Sequence, residues 1–346
     1  MSEFRVNSIT NQDGSAGQQV CGVSTFSGKS GVQIPSGPTD FRRQDGGGRG
    51  RGVFGSGATP SGVNVMDLIT IATTGNSTDF GDDFKVREEN YASFSSSTRG
   101  INAGGYSPAA FTDIGYFTFA SQGGMNDFGD LITAAYSNAG TSNQIRGLSF
   151  GGSTGSVKIN SIEFVTIAST GQANNFGSLT ERVSNTGSGV SNGIRAFQMS
   201  GNSTEVGDDS KKIHVVTIAT TGDAVKFGEL ITARNAHAGC SNSTRGLVFC
   251  GQESPGGGNL NSIEFFELAS EGNAVDFGDA SATKDYLAAL ASSTRGVCGG
   301  GQTPTKINVI EHVTIASTGD AVDFGDLTVA RRFTQGCSDV HGGLAQ

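Results

Sequence analysis

Few residues in this chain are of types that do chemistry, and their spacing argues against a catalytic or metal centre. There are four histidines, His214, His237, His312 and His341, with no HExxH and no metal-spaced pair. His214 and His312 fall in equivalent strands one residue out of register, so they are expected on opposite sheet faces. The terminal Asp339-Val340-His341 is too local to supply a triad. Five cysteines (Cys21, Cys240, Cys250, Cys298, Cys337) form an odd set without CxxC spacing. That fits neither a disulfide framework nor a zinc site, and buried reduced thiols are expected instead. The glycine runs at 46–48 and 256–258 lack the strand–loop–helix setting of a phosphate cradle. No cofactor and no metal are expected.

The carboxylates are numerous but periodic. Glu163, Glu264 and Glu311 share one position of a repeating unit, and Asp82, Asp130, Asp279 and Asp326 share another. A catalytic pair needs two unlike groups at one place, which breaks a repeat's symmetry. Arginine recurs in step at Arg51, Arg99, Arg146, Arg195, Arg245 and Arg295. A guanidinium at each junction between units would bind carbonyls or an aspartate of its neighbour. The rival arrangement is a ring of arginines along an axis, holding an anion. The chain is expected not to be an enzyme.

The element that positions these residues is a repeat near fifty residues long. Phe-Gly recurs at Phe80, Phe128, Phe176, Phe227, Phe277 and Phe324, with spacings of 48, 48, 51, 50 and 47. A third register is apolar: Leu68-Ile69-Thr70-Ile71-Ala72, Tyr116-Phe117-Thr118-Phe119-Ala120, Phe164-Val165-Thr166-Ile167-Ala168, and runs ending at Ala219, Ala269 and Ala316. Each copy reads as a short small-residue segment, a buried strand stopped by glycine, a loop, an alternating strand, and a glycine turn leading to Phe-Gly. The turn glycines Gly75, Gly123, Gly171, Gly222, Gly272 and Gly319 hold their place where the chain needs positive φ. With 54 glycines, 22 phenylalanines and only 16% charged residues, short strands fit better than helices. Four antiparallel strands per copy with a glycine doublet after the second resemble a kelch-type propeller blade. The layout from Arg51 to Cys337 matches, but kelch blades carry a tryptophan and this chain has none. The Phe-Gly phenylalanine is expected in that packing role.

The ends of the repeat predict a closed ring. The first copy lacks an inner strand, and an orphan one, Phe333-Thr334-Gln335-Gly336-Cys337-Ser338, follows the sixth, with Cys337 in the register of Cys240. Docked beside residues 52–54, it would complete a mixed blade and remove open edges. An open solenoid would leave that strand unexplained. The expected fold is thus all-β: a six-bladed kelch-like β-propeller of four-stranded antiparallel blades over residues 49–346, closed by the C-terminal strand, behind an extended arm over residues 1–48.

The arm does not share the repeat. Its strand-like pieces, Phe4-Arg5-Val6-Asn7-Ser8-Ile9, Gln19-Val20-Cys21-Gly22-Val23 and Gly31-Val32-Gln33-Ile34-Pro35, are too small to bury a core of their own. Phe4, Val6, Ile9, Val20, Val23, Phe26, Val32 and Ile34 are expected to dock by adding strands to a foreign sheet edge. The opening Phe4 to Asn11, Gly14-Ser15-Ala16-Gly17 and Val20-Cys21-Gly22-Val23-Ser24-Thr25-Phe26-Ser27-Gly28 resemble the N-termini of structural proteins of marine tailed phages, cyanophages above all. Val313-Thr314-Ile315-Ala316-Ser317-Thr318-Gly319-Asp320-Ala321 with Phe324-Gly325-Asp326-Leu327-Thr328 is similar to repeats of the same group. The resemblance implies a virion protein whose N-terminus attaches to other virion proteins while the propeller faces outward, in multiple copies, like a tail fibre or a decoration protein.

A net charge of −9 argues against nucleic acid, because phosphate contacts need clustered cations. No stretch approaches the ~20 apolar residues of a membrane span, and residues 1–10 lack a signal peptide's apolar core. The expected location is the virion, assembled in a host cytoplasm. The loops after the glycine doublets vary most, and loops on a rigid scaffold carry recognition. Those at 200–211 and 252–260 are the longest, which makes Glu205, Asp208, Asp209, Lys211, Gln252, Glu253 and Asn259 candidates for contacting a host cell-surface glycan or protein. Two rival functions remain: a glycan depolymerase, which needs an asymmetric carboxylate cluster at one mouth, and a cellular kelch-like adaptor, whose binding would survive loss of the arm.

Overall fold

The computed structural model describes residues 50–340 except 186, 188, 205–208 and 255, together with 19–20, 23–25 and 32–33. The chain divides into two compact units, Met1–Gly48 with Gln346, and Arg49–Ala345. In the first unit, Gln19–Val20, Val23–Thr25 and Val32–Gln33 form a three-stranded antiparallel sheet. The piece expected as one strand through residue 23 therefore contributes to two paired strands, with Val20 opposite Val23. Val20, Val23 and Val32 lie in this sheet, while Phe4, Val6, Ile9, Phe26 and Ile34 fall outside the described residues.

The second unit is all-β, and its small antiparallel sheets are arranged as a propeller. Four of them have four strands each, and one has eight. The sheet of Ala288–Ala291, Arg295–Gly299, Val309–Thr314 and Val322–Asp326 shows how sequence makes a blade. Its innermost strand is buried at every position, and its residues are small because neighbouring inner strands crowd it. The third strand is buried at Ile310, Glu311 and Val313, on both of its faces, and reaches the surface at Thr314. The fourth strand carries Phe-Gly on a bulge. Glu311 opposes Asp323 and Ile310 opposes Gly325, so Phe324 is left out of the ladder. It turns into the core at 2% exposure. The same shift recurs beside Phe80, Phe128, Phe176, Phe227 and Phe277, each 2–4% exposed. The phenylalanines thus fill the space expected of them.

The strand Gln335–Ser338 pairs with Arg51–Ala58, so Cys337 opposes Val53 as Cys240 opposes Leu247. Copies three and four run together in the eight-stranded sheet. Asn174–Ser184 continues past its Phe-Gly and pairs with Arg195–Ser203 through Val183 with Ser203 and Ser184 with Asn202. The loop expected over 200–211 is accordingly shorter, because residues 200–203 and 209–211 are strand. Copy four has Ser200-Gly201 where copies two, three and six have a glycine doublet, and Gly201 pairs with Ser210 in the extended hairpin.

Candidate functional site

The charged residues singled out by the repeat meet at the seams between copies. Each recurring arginine reaches the carbonyls ending the apolar run of another copy. Arg99 Nη1 donates to Ile167 O and Ala168 O at 3.0 Å, and Arg146 Nη1 to Ile218 O and Ala219 O at 3.1 and 2.9 Å. Arg245 serves Ile315 and Ala316, Arg195 serves Leu268 and Ala269, and Arg51 serves Phe119. Arg295, in the sixth copy, donates to Ile71 O and Ala72 O of the first at 3.1 and 2.9 Å. The guanidiniums of Arg99, Arg146, Arg195 and Arg245 also lie over aromatic rings of their own blades; Arg99 is 4.6 Å from the Tyr116 centroid and Arg245 is 4.6 Å from Phe265. Carbonyl binding in the seams, rather than anion binding along an axis, is what their donors do.

The carboxylate register works in the same place, one layer deeper. Glu163 accepts from the amides of Ile132 and Thr133 at 2.8 and 3.1 Å, and Glu264 accepts from Ile231 and Thr232 at 2.8 and 3.3 Å. Glu311 takes the Ser281 amide, and Asp67 takes the amide and hydroxyl of Thr328. The backbone carbonyls of Asp82, Asp130, Asp279 and Asp326 accept amides from the adjoining copy at 2.8 Å.

Buried cations complete these seams, and the repeat analysis missed them. Arg234 pairs with Glu264, Lys284 with Glu311, Arg331 with Asp67, and Arg87 with Asp83. Each cation stands seven residues after its Phe-Gly phenylalanine (234 − 227, 284 − 277, 331 − 324, 87 − 80). That offset was the available signal, but it is hidden because the same position is Ala135 and Val183 in copies two and three. The electrostatics follow the partners. Burial would raise Glu311, yet Lys284 overrides it and holds the carboxyl below its ordinary value. Glu163 faces Ala135's position instead, and burial pushes its carboxyl up despite the two amides.

Around the axis the inner strands form a chain of hydroxyls. Ser95 Oγ donates to Ser338 O, Ser142 to Ser95, Ser191 to Ser142, Ser241 to Ser191 and Ser338 to Ala291, all at 2.6–2.8 Å. Ser241 and Ser338 of this chain of hydroxyls also line a cavity of about 40 Å³, with Thr141, Cys240, Leu290 and Cys337. It has room for water-sized occupants. The described cysteines are free and buried; burial raises the Cys298 thiol to about 11 and Cys337 to about 12, so both stay protonated at neutral pH.

Of the loop candidates, Gln252 and Glu253 pair with Asn235 and Arg234, and Asn259 bridges back to Gln252 and donates to Gln302 O. Lys211 lies apart on the strand Asp209–Thr217, donating to Ile231 O at 2.7 Å; Asp209 opens the same strand. Glu205 and Asp208 fall outside the described residues, as does His341. His214 and His312 differ as their registers require. His312 meets Phe324 edge to face, whereas His214 sits in the carboxylate register between Thr180 and Gln198.

Fold and seams together define a β-propeller in which the recurring charges hold one copy of the repeat to another. No protein-family model matches the chain, and no curated protein matches it.

Proposed function

We propose that this chain is a phage virion structural protein: a six-bladed, kelch-like ring displayed outward, with residues 1–48 docking onto another tail or capsid protein. The observation that carries the reading is how the repeated charges are used. Arginines, carboxylates and buried cations of successive copies are consumed in joining those copies, which is the economy of a scaffold rather than of a reaction centre. The ring count follows if the eight-stranded sheet is two blades joined through Val183–Ser203. Closure is supported by the pairing of Gln335–Ser338 with Arg51–Ala58 and by Arg295 binding the first copy. The separate N-terminal unit and the resemblance of its sequence to cyanophage structural proteins support attachment by that end. Adhesion or decoration is then the task of the outward loops, including the one built by Gln252, Glu253 and Asn259.

Mass spectrometry of purified particles tests this directly, alongside particle incorporation of the full chain and of a chain lacking residues 1–48. Peptides of the protein in the particles, lost with the arm, are expected. Particles free of the protein, or incorporation that ignores the arm, overturn the reading. Glycan arrays with host envelope polysaccharide then separate adhesion from decoration.

A further inference from the structure

The third and fourth copies break the seam pattern, and a hydroxyl bound to a histidine replaces it. Glutamate stands at this register in Glu163, Glu264 and Glu311, and His214 takes its place in copy four. The residue that meets it from the adjoining copy, Ile132 or Ile231 elsewhere, is Thr180. A reaction centre built from one unlike set of groups departs from a repeat in this way.

Hydrogen-bond arithmetic fixes the protons. Gln198 Nε2 donates to Met199 O at 3.0 Å and Ser200 O at 2.6 Å, so Oε1 is the atom 2.8 Å from His214 Nδ1. Nδ1 therefore carries the hydrogen and Nε2 the lone pair. Thr180 Oγ1, 2.7 Å from Nε2, must donate to it. Gln198 and His214 are buried at 0% and 1% exposure, and Thr180 is exposed. A nucleophile open to solvent, a base behind it and a locked orienting group stand in order. Burial lowers the imidazole to about 4 against the pull of Glu181, with Lys212 adding to the lowering; Lys226 is its cross-strand neighbour. The base is neutral, and able to accept a proton, at neutral pH.

We propose that Thr180, His214 and Gln198 form an acyl-transfer centre that cleaves short O-acyl esters carried on a larger molecule. Thr180 Oγ1 attacks the ester carbonyl carbon while its proton passes to His214 Nε2. The bond to the alcohol oxygen breaks, and the proton leaves with the alkoxide, giving an acyl-threonine and an alcohol. Water then attacks the acyl carbon, yields its proton to Nε2, and releases the carboxylic acid as the threonine hydroxyl reforms. An exposed hydroxyl on a strand face is reached by an ester displayed on a polymer, which need not enter a pocket. This activity goes beyond the assembly role and is independent of it.

The test uses the full chain with p-nitrophenyl acetate, following nitrophenol release and mapping the acetyl group by peptide mass. Acetylation on Thr180 is expected, with a rate that falls in acid through an inflection near 4. Thr180→Val should lower the rate by about 100-fold or more and melt below the parent, because it removes the donor to Nε2, while Thr180→Ser should keep both the rate and the melting midpoint. Gln198→Glu should move the inflection upward, because a carboxylate on Nδ1 favours the charged ring. No release above buffer by the parent chain, an adduct elsewhere, or equal rates in Thr180→Val overturns the proposal.

Discussion

Asp67, in the first copy of the repeat, lies 2.9 Å from the Arg331 guanidinium that follows the last copy, and both side chains are fully buried. Arg331 Nη2 also donates to Phe54 O at 3.2 Å, and Asp67 holds the Thr328 hydroxyl at 2.6 Å. Segments more than 250 residues apart in sequence meet here by charge as well as by strand pairing. Asp67→Asn should cost about 3 kcal/mol in urea unfolding, because it leaves a buried guanidinium uncompensated. Adding Arg331→Met should recover a substantial part, giving a coupling of ~1–3 kcal/mol in the double-mutant cycle. Simple additivity would show that the pair contributes nothing as a pair.

The hydroxyl chain around the axis has a gap. Ser338 Oγ donates to Ala291 O, but Ala291 has no hydroxyl to continue the pattern toward Ser241. Ala291→Ser should close the gap and stabilise by about 0.5–1 kcal/mol, read as a higher Tm. Ser142→Ala should act oppositely and more strongly. Ser142 Oγ both donates to Ser95 O and accepts the Ser95 amide at 3.1 Å, so that buried amide loses its partner, at about 1–3 kcal/mol.

Glycine recurs in Phe-Gly for a reason the seams make plain. Gly325 has φ of +147°, and a Cβ there would stand 2.4 Å from Gly75 O, whose own amide donates to Phe324 O at 2.7 Å. The backbones of the sixth and first copies touch at that point. Gly325→Ala should cost about 2–3 kcal/mol through strain and lost contact. Gly258→Ala, where a Cβ meets nothing within 4 Å, should shift the melting midpoint little. Equal effects of the two would remove the close approach as the cause.

Phe-Gly, the recurring arginine and the apolar run were legible because each serves one backbone demand that every copy shares: a bulge, a carbonyl pair and a buried strand. The orphan strand was legible from Cys337 alone, since its register matches Cys240. The buried cations of the seams were not. Arg87 finds its carboxylate in Asp83 because Gly115 fills the next copy's acidic register, and Ala135 and Val183 supply no charge at all. Side chains that compensate for one another across a seam erase the period that would reveal them. The union of copies three and four escaped for a similar reason. Thr180-Glu181-Arg182-Val183 alternates like any strand, and only the approach of Ser203 turns it into a joint.

Acid should expose the odd seam through His214. Burial outweighs Glu181 and holds the folded imidazole at about 4, while the unfolded ring protonates near ~6.5. The unfolded chain therefore binds this proton first as pH falls, so the contribution of His214 is complete above about pH 6.5 and is lost progressively toward pH 4. The full span is on the order of 3 kcal/mol. His237, lowered to about 3 by burial and then by Arg234, acts in the same sense, and Glu163, raised by burial, acts in the opposite one. Unfolding free energies of the parent and of His214→Gln, measured from pH 7 to pH 5, isolate the histidine from both. The variant is less stable at pH 7, having lost the Thr180 and Gln198 bonds, and its deficit should narrow as the pH drops. A deficit that stays constant over that interval would mean that His214 titrates alike in the folded and unfolded chains, and that the imidazole is no more reluctant to charge in its seam than in water.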